Sequence, residues 1–239
     1  MEAWILIALF VSCFLGGMSV FFLKKDNKQQ LKLILSFSGA YLFAITILHL
    51  IPEVYHGEDH SIGIFILGGF LFQILLEQFS EGIEHGHIHK HKHAHEHYVF
   101  PFGIMISLCL HAFLEGMPLA KGPRHELVFG IGLHHIPAAF ALGSVLVQNR
   151  VSKNTIVILL IVFASMSPLG YWFSEGLSSG LLWDMEKYFD RIMGIVIGIF
   201  LHISTTILFE SSVDHQYNMK KMAAVLGGIG IALLNFLNH

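Results

Sequence analysis

Charge is scarce in this sequence: Asp, Glu, Lys and Arg make up 13% of 239 residues, about half of what a soluble domain carries. So few charges cannot wet the surface of a chain that is 54% hydrophobic with a mean hydropathy of +0.64. A soluble globule is excluded, and the chain reads as an all-α polytopic membrane protein. Cysteine is nearly absent too. Cys13 and Cys109 stand apart in apolar runs without CxxC spacing, which leaves neither a disulfide framework nor a thiolate metal site, and both read as packing residues. There is no long basic block and no nucleic-acid motif, and the formal charge is only −3, so nucleic acid is not an expected partner. The first apolar run lacks a basic segment ahead of it and is expected to stay as a membrane span rather than be cleaved as a signal peptide.

What the sequence has in abundance is apolar runs of spanning length, near 3–23, 31–52, 62–82, 99–120, 126–148, 154–175, 188–210 and 221–238. They make one transmembrane domain over residues 1–239, and eight spans put both termini on one side. Lys24, Lys25, Lys28, Lys32, Lys90, Lys92, Arg150, Lys153, Lys220 and Lys221, ten of the 14 basic residues, fall in alternate connections. That side is expected to be cytoplasmic, leaving the termini extracytoplasmic. The opposite connections carry Glu58, Asp59, Asp184, Glu186 and Asp190, which either concentrate cations or are ordinary solvated loop charge. Gly16-Gly17 in the first span and Gly227, Gly228 and Gly230 in the eighth read as close-packing positions.

Against this apolar background the stretch His111–Gly143 stands out. His111 and Glu115 are spaced i,i+4 and share one helix face, where an imidazole nitrogen and a carboxylate oxygen can grip one divalent cation. The next span supplies His134 and His135. The short turn Lys121–His125 makes the two spans antiparallel neighbours, so all four side chains reach one level. A lone intramembrane histidine is most simply a hydrogen-bonded core residue. Three histidines and a glutamate converging from two helices add up to too much unpaired polarity for that account, and His111, Glu115, His134 and His135 are the expected metal ligands. Pro118 and Pro137 are expected to free the carbonyls of Leu114 and Leu133 beside them.

Other polar groups sit nearer the membrane surfaces. His49 and Glu53 repeat the His-x3-Glu spacing at the outer end of the second span, either as a place where metal is taken in or as an interfacial carboxylate. Glu77, Glu81 and Glu210 lie near inner ends, where a metal exit path and plain interfacial solvation both fit. Between spans three and four His85, His87, His89, His91, His93, His95 and His97 alternate with almost no apolar residue, a tract expected to be disordered and to bind Zn²⁺, Cu²⁺ or Ni²⁺ loosely.

Taken together, His-x-x-x-Glu-Gly in the fourth span, His-His-Ile-Pro and the Ala-Leu-Gly run in the fifth, Ser-Pro-Leu-Gly at 167–170, His-Leu-Ile-Pro-Glu ending the second and the His-rich loop resemble the ZIP (zinc/iron permease-like) metal transporters. The resemblance covers essentially the whole chain. It implies eight helices, a homodimer, a plasma (inner) membrane location, and uptake of Zn²⁺ or Fe²⁺ toward the cytoplasm by alternating access, with helices 1, 4, 5 and 6 shifting against 2, 3, 7 and 8. It also implies that His111, Glu115 and His134 are primary ligands and that His135 occupies a position the family often fills with an acid. Three positions depart from the family pattern: Ala112 for an Asn, Ala138 for a Glu, and Ser167 for a Glu that bridges two metals in some members. A nitrogen-rich site of low negative charge favours Zn²⁺ over harder ions. The rival reading from the residues is a transmembrane zinc hydrolase, with three protein ligands and a water, but no Ser or Asp stands with the cluster to complete a reaction centre.

Overall fold

The computed structural model describes residues 3–22, 28–56, 61–80, 101–121, 125–178, 188–210 and 219–238. An apolar segment in lipid must satisfy its own N–H and C=O groups, and the helix does this within one segment. The rods are α1 (Ala3–Met18, tightening through Ser19–Phe21), α2 (Lys28–Ile45, prolonged through Thr46–Leu50 and Ile51–Val54), α3 (Ile62–Ser80), α4 (Phe102–Gly116, tightening through Met117–Lys121), α5 (His125–Gln148), α6 (Lys153–Ser178), α7 (Phe189–Glu210) and α8 (Met219–Leu237). All eight are long and apolar enough to cross a membrane, and there is no β-strand among the described residues. The chain is an all-α polytopic membrane protein.

Prolines fall in four of the rods, Pro168 lying inside α6 without ending it. In α2, Pro52 has no N–H to close on the carbonyl of Leu48, and the chain widens into a five-residue loose turn over Thr46–Leu50 just before it. Pro137 lies inside α5 without ending it. Pro118 behaves otherwise than expected. It falls in the tight turn after α4 has ended, and the N–H of Met117 closes on the carbonyl of Leu114, so that carbonyl is not freed.

The helices pack in two groups. One apolar core is built from α1, α4, α5 and α6 alone, with Cys13, Leu108, Leu142, Leu160 and Phe163 at its centre. Within this group a Cβ on Gly116 would lie 2.0 Å from the carbonyl oxygen of Ser167, and one on Gly170 would lie 1.9 Å from that of Phe113. The α4 and α6 backbones therefore touch. In the second group α3 lies as close to α7, since a Cβ on Gly69 would meet the Ile195 carbonyl oxygen at 1.9 Å, and α8 lies against α2 at Gly228 and Phe37.

A third apolar cluster joins the two groups at one end of the bundle. It takes Leu6 and Leu9 from the start of α1, Leu50 and Val54 from the end of α2, Ile62 from the start of α3, Leu119 after α4, Leu127 and Ile131 from the start of α5, Tyr171 late in α6, Phe189 and Met193 from the start of α7 and Ala232 late in α8. Starts of odd helices and ends of even ones thus meet, so successive helices run antiparallel and the first and last helices have their terminal ends on the same side. Toward the other end, α2 and α7 have a separate small core of Leu35, Ile199, Ile203 and Ile207, which α4 meets through Leu114.

Candidate metal site

The polar residues of α4 and α5 meet in the middle of the first group. His111 projects from the middle of α4, and Glu115 lies one turn further along the same face. The two approach at 3.3 Å between His111 Nε2 and Glu115 Oε1. On α5, His134 faces His111 edge to face, with ring centroids 5.9 Å apart and planes at 77°. One donor atom from each of His111, Glu115 and His134 can be chosen so that all three lie within 4.8 Å of one another, close enough to surround one ion. Their relative exposures are 1%, 0% and 0%, so water does not dissipate the charge of the carboxylate. A buried carboxylate is tolerated only where cations or hydrogen-bond donors face it.

His135 is the next residue on α5 and is also buried, but it points differently. Its Nε2 lies 2.5 Å from Glu115 Oε2, and with an ionised carboxylate the ring nitrogen is the donor. The ring of Phe163 on α6 packs beside it at 6.0 Å. Glu115 is thereby held between two imidazoles, one oxygen toward His111 and the other toward His135. Ala112, next to His111, and Ala138, one turn after His134, are buried and bring no donor, while Ser167 is buried with a hydroxyl that makes no hydrogen bond among the described residues.

The peripheral candidates are not gathered here. His49 lies in the loose turn of α2 with its ring edge-on to Phe236 of α8 at 5.3 Å, and Glu53 is half-buried in the last turn of that helix. Glu77 pairs with His202 of α7 at 3.3 Å, a contact that no sequence signal suggested because a single histidine in the apolar α7 has no spacing partner on its own helix. Glu81, the side chain of Glu210 and the tract His85–His97 lie outside the described residues.

An eight-helix membrane bundle with a buried cluster of nitrogen and carboxylate donors at its centre is the architecture of a protein that handles metal ions within the bilayer. The sequence matches the ZIP Zinc transporter family over residues 2–101 and 83–235, and the chain belongs to that family. The family is one of transporters, and the hydrolase reading finds no support in it. Among curated proteins, zinc transporter ZIP9-B of Xenopus laevis is 31% identical over 129 residues, 49% of this chain and 42% of that one. Zinc transporter ZIP9 of Xenopus tropicalis is 30% identical over 126 residues, 48% of this chain and 41% of its own length. Protein zntD of Dictyostelium discoideum is 26% identical over 147 residues, 57% of this chain and 21% of that protein. The aligned stretches span about two fifths of the frog relatives and about one fifth of the slime-mould one.

Proposed function

We propose that this protein carries a divalent transition-metal ion, Zn²⁺ before Fe²⁺, across a plasma (inner) membrane into the cytoplasm, and that the ion rests in transit on His111, Glu115 and His134. The observation that carries the reading is the convergence of two imidazoles and one carboxylate from neighbouring helices, fully buried and within 4.8 Å, where an apolar surrounding makes them unfavourable without a cation. The 3.3 Å between His111 Nε2 and Glu115 Oε1 suits two ligands of one ion, because tetrahedral bonds of about 2.05 Å leave ligand atoms about 3.3 Å apart. Imidazole and carboxylate together suit Zn²⁺ and Fe²⁺. The names of the matched relatives, zinc transporters, agree with this cargo.

The two packed groups support a movement of one against the other. A site lying inside α1, α4, α5 and α6 can shift as a body against α2, α3, α7 and α8, presenting the ion to one side of the membrane and then the other. Its direction, inward, rests on the resemblance to the ZIP family alone, while the basic connections, taken as cytoplasmic, orient the chain. His49 and Glu53 serve as an outer intake point, Glu81 and Glu210 line the exit, His85–His97 is an accessory loop that gathers ions on the cytoplasmic side, and the protein works as a homodimer.

The test is uptake of ⁶⁵Zn²⁺ into sealed vesicles holding the purified full chain. Wild type accumulates the ion above the amount it binds, and His111→Ala, Glu115→Ala and His134→Ala each lower the rate at least about 100-fold, as loss of a ligand at a buried site requires. Uptake at the wild-type rate by any two of these variants would overturn the assignment.

A further inference from the structure

Resting on the transport site just assigned, we propose that His135 is not a ligand of the ion but the residue that positions Glu115 for it. The distances separate the two roles. His111 Nε2 stands 3.3 Å from one carboxylate oxygen of Glu115, the separation of two atoms bound to a common tetrahedral ion, whereas His135 Nε2 stands 2.5 Å from the other, in direct hydrogen-bond contact. Two ligands of one ion do not approach to 2.5 Å, because bonds of about 2 Å at tetrahedral or octahedral angles hold their atoms about 3 Å apart or more. The close grouping of donors within 4.8 Å takes in His111, Glu115 and His134, and His135 is not part of it.

The backbone explains the split. Successive residues of a helix point about 100° apart, so His134 and His135 cannot both face α4 in the same way. His134 turns to the His111 ring, while the His135 ring lies beside Phe163 of α6. From that position its N–H reaches across to Oε2 and leaves Oε1 on the His111 side. A carboxylate held this way presents one oxygen to the ion without having to choose among rotamers each time an ion arrives. This is the contribution that groups behind the ligands make at metal sites, where their removal weakens binding by about 10- to 100-fold.

Exchange of each histidine for cysteine distinguishes a ligand from a positioning residue, because a thiolate bound directly to the ion prefers soft Cd²⁺ to Zn²⁺, while a thiol that only neighbours a carboxylate has no such preference. The experiment measures KM for Cd²⁺ and for Zn²⁺ in vesicles of the full chain, normalised to protein in the membrane. His134→Cys and His111→Cys are expected to shift the KM ratio toward Cd²⁺ by about ten-fold or more, and His135→Cys to leave it within about two-fold of wild type. His135→Ala is expected to raise KM for Zn²⁺ by about 10- to 100-fold, and His135→Gln, whose amide Nε2 can still donate to Oε2, to recover most of that loss. A Cd²⁺ shift in His135→Cys equal to that in His134→Cys, or a His135→Gln as impaired as His135→Ala, would overturn the proposal. If instead His111→Cys and His134→Cys transport like wild type with an unshifted ratio, the site assignment itself fails and the role of His135 falls with it.

Discussion

Single residues decide how many ions this site holds. Among the described residues Glu115 is the one carboxylate in the cluster, so with neutral imidazoles a divalent ion takes the site from −1 to +1, and a second ion would take it to +3 in an apolar surrounding. Ala112, Ala138 and Ser167 are buried and none of them carries a negative group. One tightly held ion per chain is therefore expected. Elemental analysis after replacing the seven histidines of His85–His97 with serine should give a ratio near one, and two ions about 4 Å apart, the spacing of a bridged pair, would contradict it. The residues of the cluster were legible in the sequence because polar side chains in apolar spans are conspicuous. Their orientation was not. His134 and His135 are adjacent in sequence, and only the direction in which α5 turns each one sets them apart.

At the scale of helices, the fold depends on glycines that let backbones touch. Gly116 directly follows Glu115 and faces the Ser167 carbonyl, so a Cβ at 2.0 Å from that oxygen must push α6 away from α4, and a backbone atom cannot move aside as a side chain can. Gly116→Ala is expected to destabilise the protein by about 3 kcal/mol or more, toward the upper end of overpacking effects, and to lower the melting temperature in detergent. Gly230 in α8 is the control, since a Cβ there meets nothing within 4 Å. Gly230→Ala is expected to be neutral or to stabilise by up to about 1 kcal/mol through the better helix former. Equal melting temperatures for the two variants would mean that α4 and α6 are not pressed together. The helices themselves were legible from apolar length alone. The turn at Pro118 was not, because a proline placed where a helix is ending tightens the end instead of breaking the middle, and sequence does not say which of the two applies.

In the whole molecule, the two helix groups are tied at the end where the termini lie. Tyr41 of α2 is fully buried against α5: its hydroxyl donates to the carbonyl oxygen of Glu126 at 3.2 Å and accepts from Asn235 of α8 at 3.4 Å. Its ring meets Phe129 edge-on at 5.3 Å and fills the space that Gly130 leaves, where a Cβ would lie 3.2 Å from it. Gly130 is one turn before His134, so this contact and the apolar cluster around it lie on the terminal side of the candidate metal cluster. If the site is reached by separating the groups, Tyr41→Phe removes one hydrogen bond that resists separation, worth about 1 kcal/mol or about five-fold in the population of the separated form. A cysteine introduced at Ile131, with Cys13 and Cys109 replaced by alanine, should then be labelled by an impermeant reagent from the terminal side about five-fold faster. An unchanged labelling rate would place the hold between the groups elsewhere.

Hydropathy and the unfavourable burial of polar groups are local properties, and they were enough to place the chain in a membrane as helices and to single out His111, Glu115, His134 and His135 as candidate ligands. The tertiary structure was needed to show that α1, α4, α5 and α6 share one core, that Glu77 pairs with His202, that Tyr41 bridges the groups, and that His135 meets the Glu115 carboxylate. Those are contacts between residues far apart in the chain, or rotations of a helix about its axis, and both are set by how side chains of different helices fill space together.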